Sequence, residues 1–337
     1  MDRTLLSFYF PTNAILLDDD ISFLRHFSLL IDPELPCRSL SSAHVALEQI
    51  NSQEPVARTL GNISGVTTYN DVDEKVYINL NKLHEIIYNK NRFSRISIVI
   101  VDYDMPEMNG LEFCQQIAST EIKKILFTGK ADEKLAVEAF NDGLIDRYIK
   151  KGSPNAGPKL NNSIRDLQVE YFDDLTQKIH LAIANNATPF LGDRGFKAMF
   201  QDLAEKHRCV EYYISEQPQG FIMLDSNGNS GFLFVQSKDI LATHYEIALS
   251  CDAPHETLEL LKHGRHITWF PTADGFYTKT CNSDWQNYFY PACYTSDTGE
   301  YSCAFVSPAP ARILDGTKVQ SFNKYLEIFD NTYSLRY

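Results

Sequence analysis

The sequence lacks several features that define large classes of protein. It has no stretch of about 18 uninterrupted apolar residues, so a membrane-spanning helix is not expected. Its first residues lack the pattern of a cleaved secretion signal. The seven cysteines include no CxxC pair, which argues against a zinc ribbon and against a disulfide framework. These absences together predict a reduced, cytoplasmic protein.

Basic residues are also scarce. The chain has 31 Lys and Arg against 44 Asp and Glu, a formal net charge of −13, and no long basic run. This balance argues against broad attraction to nucleic acid or to an anionic membrane, and leaves open only DNA binding through a local surface. A chain of 337 residues with 44% hydrophobic residues has enough apolar material for two globular domains.

Short, continuous apolar runs alternate with helical patterns in the first half of the chain. The runs lie at residues 14–17, 97–101 and 125–127, and residues 145–149 give a fourth strand pattern. Runs of this length, rich in β-branched residues, are typical of buried parallel strands. Helical spacing separates them over Leu111–Ile117 and Leu135–Phe140, with Gly143 as a C-cap. The pattern predicts a doubly wound α/β domain over 12–157.

Polar residues follow the ends of these predicted strands. Asp18 and Asp19 follow the first run, Asp102 ends the second, Thr128 ends the third, and Lys151 lies just past the fourth. In an open α/β sheet, ligands bind outside the carboxyl ends of the strands. Clustered carboxylates with a hydroxyl and an ammonium can handle a hard cation and an anion together. An Asp triplet alone is often only a solvated turn, and the partners on the other strands favour a site.

Two segments enlarge this domain. Residues 50–92 are too long for an ordinary connection, and the helical spacing of Val76–Tyr88 predicts a helix-plus-loop insertion. Apolar residues then recur at steps of three or four from Leu160 to Ile183, which predicts a long linker helix over 158–187.

The remaining residues, 190–337, have a different pattern. A helix over Phe196–His207 is followed by strand patterns over Glu211–Ser215, Gly220–Asp225 and Gly231–Gln236, with Asn227-Gly228 as a hairpin turn. Two helical stretches and further strand patterns come after; they cover residues 239–250, 256–263, 266–270, 288–294 and 300–306. This order predicts an α+β domain with an antiparallel sheet. No spacing of residues such as Asp225, His244 and Cys281 indicates a catalytic centre, so no enzyme is expected there.

Four motifs in order resemble the receiver domain of two-component response regulators. They are AILLDDDISFL, IVIVDYDMPEMNGLEF, ILFTGKAD and GLIDRYIKK. The resemblance covers about residues 12–155 and implies the flavodoxin-like receiver fold. The chain length, the enlarged region before residue 102 and the unusual second domain also resemble the LqsR type of bacterial quorum-sensing response regulator.

The resemblance implies a role for each matching position. Asp102, four residues before Pro106, would be the phosphoacceptor, with Thr128 and Lys151 contacting the phosphoryl group. Around Mg²⁺, Asp18 and Asp19 would form the acidic pair, and Asp104 would contribute its backbone carbonyl. Tyr148 would be the switch aromatic, and Lys151 is preferred to Lys150 because it follows Tyr148 by three residues. The sequence departs from the family pattern in two places: Lys151 is followed by Gly-Ser-Pro instead of directly by proline, and the insertion enlarges the region ahead of Asp102.

The resemblance further implies a partner and a mode of action. A sensor histidine kinase or a phosphotransfer protein would phosphorylate Asp102, and the receiver would then control self-association as a homodimer and the carboxy-terminal output domain. A receiver that serves only as a non-phosphorylated scaffold is one alternative. For 190–337, a nucleotide-sensing, small-molecule-sensing or DNA-binding module stays open, and no activity is implied beyond the receiver's own phosphoryl chemistry.

Overall fold

A computed structural model describes residues 5–54, 64–69, 73–78, 81–129, 133–183 and 189–333. The elements up to residue 183 are β1 Phe8–Tyr9, β2 Asn13–Leu17, α1 Ile21–Ser28, β3 Cys37–Leu40, α2 Ala43–Asn51, β4 Ser64–Tyr69, β5 Asp73–Ile78, α3 Asn81–Tyr88, β6 Ile96–Val101, α4 Gly110–Gln116, β7 Lys123–Thr128, α5 Glu133–Asn141, β8 Arg147–Lys150 and α6 Ala156–Ile183. Those that follow are α7 Arg194–Lys206, β9 Cys209–Glu216, β10 Gln219–Asp225, β11 Ser230–Ser237, α8 Lys238–Ser250, α9 His255–Lys262, β12 His266–Thr268, β13 Phe289–Pro291, β14 Tyr294–Thr295, β15 Tyr301–Val306 and α10 Phe322–Tyr333.

The chain forms two compact units, neither of which is a contiguous range. The parallel-sheet unit contains the described residues of 9–78, 89–182 and 322–333. The antiparallel-sheet unit contains those of 5–8, 79–88 and 183–321. Among the described residues, no helix has the length and apolar character needed to cross a bilayer.

A five-stranded sheet forms the centre of the parallel-sheet unit. Its strand order is β3-β2-β6-β7-β8, and every neighbouring pair is parallel. This is the flavodoxin-like order, with β2 as the first strand of the fold. All residues of β2 and β6 are buried, because helices cover both faces of the sheet. The predicted doubly wound fold is confirmed.

Alternate strand residues supply the two layers of core. One layer packs β-strand side chains against α1 and α6; it includes Leu16, Ile100, Phe127, Leu24, Phe27, Leu160 and Ile164. The other packs them against α2, α4 and α5; it includes Leu17, Val101, Leu126, Ala46, Phe113 and Ala139. This division follows from the two-residue period of a strand, which sends neighbouring side chains to opposite faces.

Local boundaries differ from prediction at two places. The last parallel strand begins at Arg147 instead of residue 145, although Ile145 is buried. The predicted helix over Val76–Tyr88 is wrong for its first part, where Val76 to Ile78 belong to β5 and pair in antiparallel register with Val66 to Ser64. Short apolar runs fit either period, and here pairing with a second strand decides the outcome. The helix itself, α3, starts at Asn81.

The final helix, α10, completes the parallel-sheet unit. Phe322, Tyr325 and Phe329 are buried on it. The rings of Phe322 and Tyr325 lie 5.2 and 5.5 Å from that of Phe93, just before β6. The side-chain amide of Asn13, at the start of β2, donates to the Tyr325 hydroxyl and to Phe93 O (3.3 Å for the latter). Helix α10 therefore packs against the amino end of the sheet and contacts it by hydrogen bonding.

A six-stranded sheet forms the antiparallel-sheet unit, with strand order β1-β9-β10-β11-β15-β14. The predicted hairpin is present: β10 pairs with β11, Gly228 has a positive φ of 81°, and the Asp225 carboxylate accepts from the backbone of Asn227 and Asn229. Helix α7 packs Phe196 and Phe200 against Phe221. The predicted antiparallel α+β architecture is confirmed.

Candidate phosphoacceptor site

Adjacent parallel strands bring the first two aspartates together. Leu17 and Val101, the last residues of β2 and β6, are paired in register. Asp18 and Asp102 follow them directly, and the Asp102 amide donates to Leu17 O at 2.9 Å. The side chains of both aspartates are almost fully buried, with 2% of Asp18 and 8% of Asp102 exposed. The sheet therefore places two carboxylates side by side at its carboxyl edge.

Three carboxylates form a cluster of a size that suits a metal ion. One carboxylate oxygen each from Asp18, Asp19 and Asp102 lie within 4.8 Å of one another, and Asp19 is exposed. Asp102 Oδ1 is buried and has no hydrogen-bond donor. Oxygen donors of this kind suit a hard cation such as Mg²⁺, which also retains water ligands on its open side. The residues present therefore fit the expected cation.

Asp20, the third acid of the triplet, has a different task. Its carboxylate accepts from the backbone amides of Ser22 and Phe23 at 2.9 and 3.0 Å and so caps helix α1. Asp18 Oδ1 in turn accepts from the Asp20 amide at 3.0 Å. Capping of this kind satisfies amides that a helix leaves unpaired at its start. The helix cap and two carboxylates of the candidate metal site are thus parts of one short segment.

Lys151 reaches into the cluster from the turn after β8. Its ammonium forms an ion pair with Asp18 Oδ2 and lies 3.1 Å from Asp102 Oδ1, in a direction that does not make a hydrogen bond. The backbone amide of Lys151 donates to Thr128 O at 3.0 Å, which anchors the turn. Lys150, the residue before it, is exposed.

Burial and charge compete at Asp18. Burial raises the pKa of this carboxyl above its usual value, since the charged form loses hydration. The hydrogen bond from Lys151 and that from the Asp20 amide lower the same pKa, and the neighbouring Asp102 raises it again. Two buried carboxylates thus share one ammonium. This arrangement has an excess of negative charge that a divalent cation would neutralise.

The other predicted residues lie at the same edge or next to it. Thr128 is the last residue of β7 and is 1% exposed. Tyr148, in β8, is half-buried against the core layer of α2, α4 and α5. Asp104 is exposed, two residues beyond Asp102. The structure thus joins Asp18, Asp102 and Lys151 by direct contact, and the roles of all these residues stay predictions.

Gly110 is a residue that sequence reasoning missed. A Cβ at this position would lie 2.3 Å from the backbone oxygen of Asp102, so a larger residue would displace the backbone at Asp102. Asn109 before it caps α4 in a capping box with Glu112. The Asn-Gly-x-Glu pattern after the Met-Pro loop could have identified the start of this helix and the close approach.

The comparisons agree with this geometry. The family model of the response regulator receiver domain matches residues 74–159, a range that holds Asp102, Thr128, Tyr148 and Lys151 but not the acidic pair. Comparison with the curated proteins gives no match.

Among solved structures, the response regulator LqsR of Legionella pneumophila is 36% identical, with 96% of this chain and 95% of that chain covered and a TM-score of 0.73. An adenylate cyclase from Rhodopirellula baltica is 21% identical over 51% of this chain and 96% of that one, with a TM-score of 0.34. A CheY-like receiver domain protein from Methanospirillum hungatei is 17% identical over 49% and 98%, with a TM-score of 0.33. The whole-length match to LqsR confirms the resemblance seen in the sequence, and the chain belongs to the response regulators with a receiver domain.

Proposed function

We propose that this response regulator is switched by transfer of a phosphoryl group from a histidine kinase or a phosphotransfer protein to Asp102, with Mg²⁺ bound at Asp18, Asp19 and Asp102. The observation that carries the proposal is the cluster of the Asp18, Asp19 and Asp102 carboxylates at the carboxyl edge of the sheet, two of which form ion pairs with Lys151. Carboxylates held this close together have an excess of negative charge that a divalent cation would neutralise.

The residues divide the work of transfer among them. An Asp102 oxygen attacks phosphorus; the O–P bond forms as the N–P bond of the phosphohistidine breaks, and the imidazole leaves with the electron pair. Asp18, Asp19 and Asp102 would hold Mg²⁺, which would offset the negative charge of the phosphoryl group. Lys151 exchanges Asp18 for a phosphoryl oxygen, and the Thr128 hydroxyl donates to another. Displacement of Thr128 and reorientation of Tyr148 then change the surface of the parallel-sheet unit.

Mass measurement after incubation with acetyl phosphate and Mg²⁺ tests the proposal. The wild-type protein should gain one phosphoryl group, and Asp102→Asn should gain none. Asp104→Asn is the matched control, because that aspartate is proposed to act through its backbone carbonyl and should keep full phosphorylation. Chelation of the metal should abolish the gain in every variant. A wild-type protein that stays unmodified with metal present would refute the proposal.

The proposed consequence of phosphorylation is a change in self-association and in the state of the antiparallel-sheet unit. The likeness to LqsR over nearly the whole chain supports a place for this signalling in bacterial quorum sensing. Light scattering of the full chain with and without beryllofluoride, a phosphoryl mimic, measures the change in mass. If the beryllofluoride-bound protein keeps the molar mass of the free protein, the signal does not act through self-association.

A cleft in the antiparallel-sheet unit supports a second candidate function, the sensing of a small molecule. Its volume is about 460 Å³, within the range of ligand pockets. Leu241, Tyr245 and Leu261 line it together with Lys238, Lys262 and Glu246. Two cationic groups against one carboxylate suit an anionic ligand with an apolar part, such as a nucleotide. A thermal-shift screen of the full chain should show stabilisation without turnover; turnover would indicate an enzyme instead.

A further inference from the structure

An aromatic ring lies beneath the ammonium of Lys151. The Lys151 Nζ is 4.3 Å from the centroid of the Phe23 ring, a distance typical of a cation–π contact. Phe23 lies in the first turn of α1, where the Asp20 cap binds its backbone amide. The segment that supplies Asp18 and Asp19 therefore also determines where this ring lies relative to the carboxylates.

The ring is braced from behind by two more aromatic residues. Phe23 stacks on Phe27, with centroids 5.2 Å apart and planes inclined by 20°. Phe127, the residue before Thr128, lies 6.1 Å from Phe23 and 4.8 Å from Phe27. Phe27 and Phe127 are buried, and Phe23 is half-buried. The position of Phe23 is thus determined from α1 and from the strand that ends at Thr128.

The Phe23 ring can hold Lys151 near the site when the lysine leaves Asp18. In the phosphoryl-free state Lys151 is paired to Asp18, but in the proposed mechanism it must leave Asp18 for a phosphoryl oxygen on Asp102. A long, flexible lysine released from its carboxylate would otherwise move into solvent. The face of an aromatic ring attracts an ammonium without accepting all of its N–H groups, and this attraction is stronger where water is partly excluded. The Lys151 side chain is only 18% exposed.

We propose that Phe23 is a positioning residue for Lys151: its ring holds the ammonium above the acidic cluster during exchange from Asp18 to the phosphoryl group. This inference rests on the proposed phosphorylation of Asp102. The first turn of α1 would thus contribute to the reaction through the aromatic face of Phe23.

Affinity for beryllofluoride in the presence of Mg²⁺, measured by titration, tests this role. Phe23→Leu should weaken binding about three- to tenfold, whereas Phe23→Tyr, which keeps a ring face, should bind within about twofold of wild type. Ile164→Val is the structural control, since it removes a buried methyl group from the same core layer while keeping all three aromatic rings. It should lower thermal stability and keep the affinity within about twofold.

A double-mutant cycle separates positioning from general damage. On a Lys151→Met background, Phe23→Leu should cause no further loss of beryllofluoride affinity, because the group on which it acts is gone. An equal loss on both backgrounds, or a loss of the same size in Ile164→Val, would overturn the inference. The proposed function fails differently: wild-type protein would then bind no beryllofluoride and gain no phosphoryl group. Normal binding by both wild type and Phe23→Leu would reject only the role of Phe23.

Discussion

The two ends of the parallel sheet are both polar and buried, yet they are built in opposite ways. At the carboxyl end, the groups are charged, and the carboxylates of Asp18 and Asp102 share the ammonium of Lys151. At the amino end the groups are neutral and joined through their donors. The Thr12 and Ser97 hydroxyls are 2.6 Å apart, the Gln168 amide donates to Thr12 O at 2.9 Å, and the Asn13 amide donates to Phe93 O and to the Tyr325 hydroxyl.

The difference separates stability from function. Neutral hydrogen bonds in a dry interior stabilise the fold modestly, and they are costly to break once one partner is left alone. Like charges held side by side in the interior do the reverse, since burial penalises each of them. Such a cluster is tolerated when a ligand completes it. The amino end therefore stabilises the sheet. In the proposed function, the carboxyl end has an excess of negative charge that a bound Mg²⁺ would neutralise.

Removing a carboxylate from the carboxyl end should give the largest effect. Asp18→Asn should slow Mg²⁺-dependent phosphorylation by at least about 100-fold, because loss even of groups behind a metal ligand costs about 10- to 100-fold. Its stability should stay within about 1 kcal/mol of wild type, since relief of carboxylate burial offsets the lost ion pair with Lys151. Phosphorylation rates and urea denaturation measure the two. A strongly destabilised but active variant would contradict the division between the ends.

The amino end should respond in the opposite sense. Asn13→Ala removes the donor of two buried hydrogen bonds and should lower the free energy of unfolding by about 2–3 kcal/mol. Tyr325→Phe, which removes only the hydroxyl, should cost about 1 kcal/mol. Both variants, assayed below their melting temperatures, should be phosphorylated at rates within about twofold of wild type. A large loss of phosphorylation in Tyr325→Phe would show that α10 acts on the site as well as on stability.

The pH dependence should show the smallest effect of the three. Because burial raises the Asp18 pKa, the folded state binds a proton more readily than the unfolded chain. This contribution to stability is present below the ordinary carboxyl pKa and is lost as the pH rises through the raised value. The difference in unfolding free energy between wild type and Asp18→Asn should therefore vary with pH across the acidic range. For Asn13→Ala the corresponding difference should be flat, since its hydrogen-bonded partners do not titrate there.

The sequence predicted correctly those elements whose pattern lies within a short stretch of the chain. The runs at 14–17 and 97–101 became β2 and β6 because apolar, β-branched stretches between helices have few other uses. The same holds for the hairpin at Asn227-Gly228, whose turn chemistry is self-contained. Asp18, Asp102 and Lys151 could be brought together in advance because parallel strands end at one edge.

Features that depend on distant partners could not be placed in this way. Strand β3, Cys37–Leu40, is half-buried and partly polar, and it is a strand because β2 offers it a free edge. The aromatic residues of α10 give no hint that they pack with Phe93, more than two hundred residues earlier. In the sequence, Phe23 has the pattern of an ordinary core residue, and only the structure shows that the Lys151 ammonium lies over its ring. In each case the deciding contact is long-range, and no local pattern encodes it.

The most direct test of the central claim locates the phosphoryl group itself. Protein treated with acetyl phosphate and Mg²⁺ is reduced with borohydride, which converts an aspartyl phosphate to homoserine, and its peptides are then sequenced by mass spectrometry. The account predicts homoserine at residue 102, dependent on metal and absent from Asp102→Asn. Homoserine at residue 18, 19 or 104, or at none of them, would contradict it.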